Sequence, residues 1–94
     1  MAAYWIAHVT VLNAEKYAGY TALAPAAFAK YGATFLARGG KAVAVEGEPA
    51  DRHVVIAFQD METALACYHS PEYQAAKAHR DANCVAEIVI VEGI

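Results

Sequence analysis

The run from Tyr4 to Leu12 is apolar at almost every position rather than at every second one. A strand with one face in water alternates between apolar and polar residues, whereas a strand covered on both faces is continuously apolar. We therefore expect this run to form a central strand. His8 lies in its middle, and the face of the strand that His8 occupies bears directly on function.

The composition indicates that a second copy of the chain covers part of its surface. A chain of 94 residues is expected to form a single domain, residues 1–94, and a domain of this size buries a modest fraction of its surface. Yet 59% of the residues are apolar and only 18% are charged. Such a chain would expose a large apolar surface on its own, so we predict a symmetric homodimer.

Charge and composition argue against several classes of partner. The net charge is −3 and the seven Lys and Arg residues are scattered, so nucleic acid is not an expected partner. No apolar run approaches the length of a membrane span, and no basic, apolar and small-residue series marks a secretion signal. We expect a cytoplasmic protein in which Cys67 and Cys84 are reduced.

The first half of the chain predicts a strand, a helix and an extended region. The strand covers about Ala3 to Leu12, and Asn13 is a suitable N-cap for the helix that follows. Pro25 predicts a kink or a break in that helix, and Gly32 is suited to its end. After the extended run Thr34 to Arg38, Gly39-Gly40 either forms a hairpin or bends one long strand that continues through Ala42 to Glu46; we favour the bend.

The second half predicts a strand, two successive helices and a last strand. Residues 47–51 form a turn into the strand His53 to Phe58. Asp60 caps a helix that begins at Met61, and Ser70-Pro71-Glu72 predicts a fresh helix start, with serine at the N-cap and proline at the first turn. That helix reaches about Asp81, and Val85 to Glu92 is the last strand.

The order β-α-β-β-α-β predicts a ferredoxin-like α+β fold. In this arrangement an antiparallel sheet of order 4-1-3-2 has helices on one face, and the first strand is central. The other face of the sheet stays apolar. We therefore expect two protomers to pack sheet against sheet as a dimeric α+β barrel.

Several segments together resemble a known family, the one catalogued as domain of unknown function 1330. The similar segments are Tyr4–Ala7, Phe28–Gly32, Phe35–Gly40, Ser70–Gln74 and Val89–Gly93. The resemblance spans essentially the whole chain and implies a ferredoxin-like protomer in a dimeric α+β barrel. It implies no particular reaction, because distant relatives in that superfamily include cofactor-independent monooxygenases, lactone isomerases and haem-dependent enzymes. Similar proteins often have an acidic residue and proline where this chain has Asn13-Ala14.

His8 and Arg38 are the first candidates for chemistry, because they are ionisable groups on otherwise apolar strands. If His8 faces the helices, it is a candidate catalytic acid or base in a pocket; if it faces the partner sheet, it belongs to the dimer interface. Arg38 keeps its charge and needs either a carboxylate partner, such as Glu46, Glu87 or Glu92, or a bound anion.

Four tyrosines and a second histidine complete the candidate site. Tyr17, Tyr20, Tyr68 and Tyr73 would give a pocket apolar walls with polar tips, or else simply pack helices on the sheet. Antiparallel pairing of strands one and three would bring His53 towards His8. No third ligand stands at a recognised spacing, so we expect no metal and no cofactor.

Three functional hypotheses follow. The first is a small homodimer that binds or transforms a small organic acid or phenolic compound by cofactor-free acid–base chemistry, with His8 as proton carrier and Arg38 as anion anchor. The second is a non-catalytic binding or structural module in which the same residues hold the dimer together. The third is haem or metal binding.

Overall fold

The structure, a computed structural model, describes all 94 residues. The strands are β1 (Ala3–Val11), β2 (Thr34–Arg38), β3 (Arg52–Phe58) and β4 (Cys84–Glu92). The helices are α1 (Ala14–Lys30), α2 (Met61–His69) and α3 (Pro71–Arg80). The predicted order of elements is confirmed, including the new helix start at Pro71.

The four strands form one antiparallel sheet in the order β2-β3-β1-β4. This is the predicted ferredoxin-like arrangement, and β1 is a central strand. Alternate residues of β1, namely Ala3, Trp5, Ala7 and Val9, are buried. They form the inner face of the sheet, against which the helices pack, and their neighbours in the strand form the outer face.

The core lies between the inner face and the three helices. Trp5 is at its centre, 1% exposed, with its ring against Phe28 and Tyr73 at centroid distances of 5.1 and 5.0 Å. Ala24, Ala27, Ala64 and Ala76 are buried as well, and their small side chains permit close packing of the helices, most of all of α1 against α3. No helix has the length and apolar composition that crossing a bilayer requires.

Ser70 joins α2 to α3 without an intervening loop. Its hydroxyl donates to the Cys67 carbonyl at 2.6 Å and accepts from the Tyr73 amide at 3.1 Å. One buried side chain therefore ends one helix and begins the next. Asn13 and Asp60 accept from backbone amides at the starts of α1 and α2, as their positions in the sequence predict.

Two local predictions differ from the structure. Of the kink or break predicted at Pro25, the break is absent, because α1 continues through this residue to Lys30. The extended strand predicted through Ala42 to Glu46 is also absent, because β2 ends at Arg38. Residues 42–46 have no adjacent strand to pair with, so their apolar pattern is not sufficient to make them a strand. A β-bulge is present, but it lies earlier, between Phe35 and Ala37.

Candidate ligand-binding site

A cavity of about 210 Å³ lies between α1 and the inner face of the sheet. Its apolar wall includes Trp5, Phe28, Ile56 and Ile88, so it is continuous with the hydrophobic core. Tyr17 and Tyr20 line it from α1. A concave apolar space with a few polar groups is the usual form of a small-molecule site.

Three arginines line the cavity, and no aspartate, glutamate, histidine or lysine does. Arg38 and Arg52 come from adjacent strands, and Arg80 comes from the last turn of α3. Guanidinium groups keep their charge at all accessible pH values, so the polar part of the cavity is permanently positive. An anion is the ligand for which this charge is complementary.

Arg80 is the most deeply placed of the three, with an exposure of only 7%. One of its terminal nitrogens donates to the Tyr73 hydroxyl at 3.2 Å, and its Nε is buried without a partner. The carboxylate of Asp81 stands 4.0 Å from the other terminal nitrogen and is itself half exposed. A buried charge is normally paired and fully hydrogen-bonded, so Arg80 has unused capacity to bind an anion.

Arg38 and Arg52 occupy the end of the cavity where β2 leaves the sheet. The guanidinium carbon of Arg38 lies 3.5 Å from the centre of the Phe35 ring, a cation–π contact. Arg52 packs against Gly39, and a side chain at that glycine would collide with its guanidinium. Gly39 also has a φ of +65°, which disfavours other residues. Gly39 thus leaves space for the guanidinium of Arg52 beside the cavity.

Tyr20, which lines the cavity, forms a hydrogen-bonded pair with the buried Tyr73. The hydroxyl oxygens of Tyr20 and Tyr73 are 2.9 Å apart, and the Tyr73 oxygen also accepts the hydrogen bond from Arg80. Burial, followed by the negative charge that an ionised Tyr73 would add, raises the pKa of Tyr20 far above its usual range. Burial also raises the pKa of Tyr17. Both hydroxyls therefore stay protonated.

His8 is on the other face of the sheet. It is exposed, whereas Tyr4, Ile6 and Thr10 on the same face of β1 are half-buried. It lies opposite His53 on β3 and Glu87 on β4. The Nδ1 atoms of His8 and His53 are 2.8 Å apart, so strand pairing does bring the two histidines together. His8 does not share the cavity with Arg38, and the hypothesis that it acts between helices and sheet is wrong.

The outer histidines border a second, open hollow of about 490 Å³. Glu46, Glu48 and Glu87 also line it, together with the loop around Val43. No group of three or more His, Cys, Asp or Glu side chains is placed to hold a metal ion anywhere in the chain. Two imidazoles alone are fewer ligands than a protein metal site normally supplies.

The sequence-based candidates therefore separate into three groups. Arg38, Tyr17 and Tyr20 line the inner cavity. Tyr73 is fully buried behind Tyr20, whereas Tyr68 packs on Trp5 at a centroid distance of 5.7 Å and does not line the cavity. His8 and His53 are on the outer face.

Sequence reasoning missed Arg52 and Arg80. Arg80 stands seven residues after Tyr73, which places both on one face of α3, but a basic residue in a last helical turn is commonly a solvated partner of the helix dipole. Arg52 has the same parity along β3 as Ile56 and Phe58, and both of these are buried. These two spacings were the sequence signals that could have identified Arg80 and Arg52 as inward-facing residues.

Fold and site together define a ferredoxin-like α+β protein with an arginine-lined cavity beneath its first helix. The chain belongs to the family described as domain of unknown function (DUF1330), whose model matches residues 2–94. This confirms the resemblance seen in the sequence. No curated protein matches the chain.

Several solved structures share the fold. A protein of unknown function from Rhodopseudomonas palustris, RPA0582, superposes with a TM-score of 0.82 at 17% identity, over 99% of this chain and 82% of its own. SnoaB, a cofactor-independent oxygenase from Streptomyces nogalater, gives 0.66 at 14% identity, over 99% and 93%. A dimeric protein of unknown function from Bacteroides fragilis gives 0.62 at 15% identity, over 98% and 96%. At these identities the similarity shows the fold alone.

Proposed function

We propose that this protein binds a small organic acid in the cavity beneath α1. The observation that carries the proposal is Arg80, a buried guanidinium whose Nε has no partner and whose nearest carboxylate is 4.0 Å away. A ligand carboxylate would supply the missing negative charge and accept a hydrogen bond from a terminal guanidinium nitrogen. Arg52 and Arg38 add positive charge towards the same cavity.

Size and wall chemistry narrow the ligand class. An engineered apolar cavity of about 150 Å³ in another protein accepts benzene, so a cavity of about 210 Å³ suits one ring with a short acidic substituent. Trp5, Phe28 and Phe35 supply aromatic surface for such a ring. The ligand class that fits best is a single-ring aromatic acid or an acid of similar volume, which includes phenolic acids.

Binding is better supported than acid–base catalysis. A general base must accept a proton near neutral pH, and the residues that line the cavity include no histidine or carboxylate. The two tyrosines there have raised pKa values, so they stay protonated and act as hydrogen-bond donors rather than as bases. A catalytic role for His8 stays a prediction, and it would have to act on the outer face.

Cofactor-free conversion of the bound acid is the second candidate function. The Tyr20 hydroxyl beside the cavity favours it, because a neutral donor can stabilise negative charge that develops on a substrate oxygen. SnoaB, which shares the fold, is a cofactor-independent oxygenase.

Calorimetric titration tests the binding proposal. We expect benzoate or phenylacetate to bind the wild-type protein, and the neutral amide of the same acid to bind at least ten times more weakly. R80M should weaken carboxylate binding by one to two orders of magnitude. K30M is the matched control, since Lys30 is an exposed cation paired with Glu72 outside the cavity. Equal affinity for acid and amide would contradict the proposal, as would equal loss in both variants.

We also propose that the protein is a homodimer joined through the outer face of the sheet. Val85, Val89 and Val91 of β4 are 58%, 56% and 46% exposed, and the side chains of Tyr4 and Ile6 lie on the same face. Such an apolar face is characteristic of an interface. The similar Bacteroides fragilis protein is described as dimeric. A cytoplasmic location is part of the proposal as well, in keeping with two free cysteines.

A further inference from the structure

We infer that Tyr20 donates a hydrogen bond to a second oxygen of the ligand, and that Arg80 and Tyr73 fix the direction of that donation. The inference rests on the proposed binding of an organic acid and deepens it. It assigns the ligand a carboxylate and a neighbouring carbonyl-type oxygen. The class is that of the 2-oxo acids.

The direction follows from the donors and acceptors along the chain of contacts. A guanidinium can only donate, so Arg80 donates to the Tyr73 oxygen at 3.2 Å. Tyr73 is fully buried and its own hydroxyl proton needs an acceptor. The Tyr20 oxygen, 2.9 Å away, is the one acceptor that the Tyr73 hydroxyl contacts. Tyr73 therefore donates to Tyr20, and not the reverse.

The hydroxyl proton of Tyr20 is then directed elsewhere. Tyr20 makes no other side-chain hydrogen bond within the protein, and it lines the cavity. The guanidinium carbon of Arg80 lies 5.3 Å from the centre of the Tyr20 ring, so both residues are within reach of one small molecule. The hydrogen bond from Tyr73, itself polarised by the Arg80 charge, polarises the Tyr20 O–H bond and makes it a stronger donor than the same hydroxyl would be without Tyr73.

Ionisation of Tyr20 would reverse this role, because a phenolate only accepts hydrogen bonds. Burial raises the pKa of Tyr20 far above its usual range. The group is therefore a neutral donor throughout the physiological range. A ligand that offers an oxygen acceptor next to its carboxylate satisfies Arg80 and Tyr20 together, whereas a simple carboxylate leaves the Tyr20 proton unpaired.

A matched pair of acids tests the inference. Phenylglyoxylate and phenylacetate differ only at the carbon beside the carboxylate, which is a carbonyl in the first and a methylene in the second. We expect the wild-type protein to bind phenylglyoxylate about ten times more tightly in calorimetric titration. Y20F should remove this preference and leave phenylacetate binding unchanged within about twofold.

Two further variants separate the roles of the residues in the hydrogen-bond chain. Y73F keeps the Tyr20 hydroxyl but removes its polarising donor, so it should reduce the preference about threefold rather than remove it. Y31F is the matched control, since Tyr31 ends α1 outside the cavity and makes no side-chain hydrogen bond, and it should keep the full preference.

A measurement on the wild-type protein is independent of how the variants fold. The hydroxyl proton of Tyr20 should move downfield in the NMR spectrum on addition of phenylglyoxylate, and should not do so with phenylacetate. A preference that survives in Y20F, or equal shifts with both acids, would overturn the role of Tyr20 while the binding proposal stands. Failure of both acids to bind would overturn the binding proposal itself.

Discussion

At the scale of single residues, Arg80 is the position where binding and stability make opposite demands. Its guanidinium is buried, lacks a close carboxylate and has an unpartnered Nε. Replacing buried charged groups by apolar ones of similar volume is often neutral or stabilising. We therefore predict that R80M leaves the free energy of unfolding unchanged or raises it by up to about 2 kcal/mol in urea denaturation.

The effect of a core substitution in the same protein provides a reference for the stability of R80M. I56A removes most of a side chain that is 1% exposed and should lower the free energy of unfolding by roughly 2 to 5 kcal/mol. If R80M were as destabilising as I56A, Arg80 would be a structural residue, and the case for an anion site would lose its main support.

Cys67 gives a prediction for alkaline pH. Burial, and secondarily the charge of Glu72, raises the pKa of the Cys67 thiol to about 11. The unfolded thiol, with its ordinary pKa near 9.0, releases its proton first as the pH rises, so ionisation favours the unfolded chain. The contribution to stability is complete below pH 9 and is lost between about pH 9 and 11, by roughly 1 to 3 kcal/mol.

Comparison with C67A over that pH range isolates the effect. The variant is less stable at every pH because it contains a cavity, but its stability should fall less steeply above pH 9 in urea titrations. Parallel slopes for the two proteins would show that Cys67 ionises alike in both states. Tyr20, whose pKa is also raised by burial, contributes to the fall in both proteins and cancels in the comparison.

At the scale of secondary-structure elements, Ser70 couples two helices to the candidate site. Its hydroxyl contacts the end of α2 and the start of α3, and it holds the amide of Tyr73, the central residue of the hydrogen-bond chain. S70A leaves the buried Tyr73 amide without its acceptor and removes one of the two hydrogen bonds to the Cys67 carbonyl, which keeps the bond from the amide of residue 70. We predict a loss of about 2 kcal/mol in thermal or urea unfolding.

The exposed cap Asn13 is the natural comparison for Ser70. N13A removes one hydrogen bond, to the Lys16 amide, in contact with water, so it should lower stability by only about 0.5 to 1 kcal/mol. S70A should also weaken the preference for phenylglyoxylate, because Tyr73 loses its anchor, whereas N13A should not. Equal effects of the two variants would refute the coupling.

Helix α1 tolerates Pro25 without breaking, and this has an energetic consequence. Proline has no amide hydrogen, and its ring crowds the carbonyl of Thr21, one turn earlier. We predict that P25A raises the free energy of unfolding by about 1 to 3 kcal/mol. Pro25 and Thr21 both line the cavity, so the P25A substitution should also change the affinity for a carboxylate ligand. A destabilised P25A would show that packing of the ring outweighs helix propensity.

The elements were largely predictable from sequence because their boundary signals are local. Asn13, Asp60 and the Ser70-Pro71 pair cap helices by contacts with residues a few positions away. The prediction of a strand from Ala42 to Glu46 was wrong because a strand needs a neighbouring strand to pair with. The local sequence does not show whether such a neighbour is present. The side of the sheet on which His8 lies was undetermined for a similar reason: Tyr4 and Ile6 are as apolar as Trp5 and Ala7.

The candidate site was less predictable than the fold. Arg38, Tyr17 and Tyr20 were recognised because they stand out on apolar elements, but Arg80 looks like an ordinary basic residue at a helix end. Its burial depends on the packing of α3 against α1, where its guanidinium lies near the ring of Tyr20. The direction of the hydrogen-bond chain likewise depends on a contact between α1 and α3. The two tyrosines that make it, Tyr20 and Tyr73, are 53 positions apart in the sequence.

At the scale of the whole molecule, the two faces of the sheet have different roles. The inner face carries the core and the cavity, and the outer face carries exposed valines around the His8–His53 pair. We predict a particle of about twice the 10.0 kDa chain mass in sedimentation, formed by two outer faces. V89K places a charge in the apolar part of that face and should yield a monomer at micromolar concentration. Since desolvating an unpaired lysine is costly, the dissociation constant should rise by at least 100-fold.

Leu23 provides the control for this substitution. It is 45% exposed, close to the 56% of Val89, but it belongs to α1 on the opposite side of the molecule. L23K should therefore leave the dimer intact. Carboxylate binding should persist in a folded V89K monomer, because every residue of the cavity comes from a single chain. A wild-type monomer would contradict the shared sheet interface, and dissociation of L23K would move the interface to the helical side.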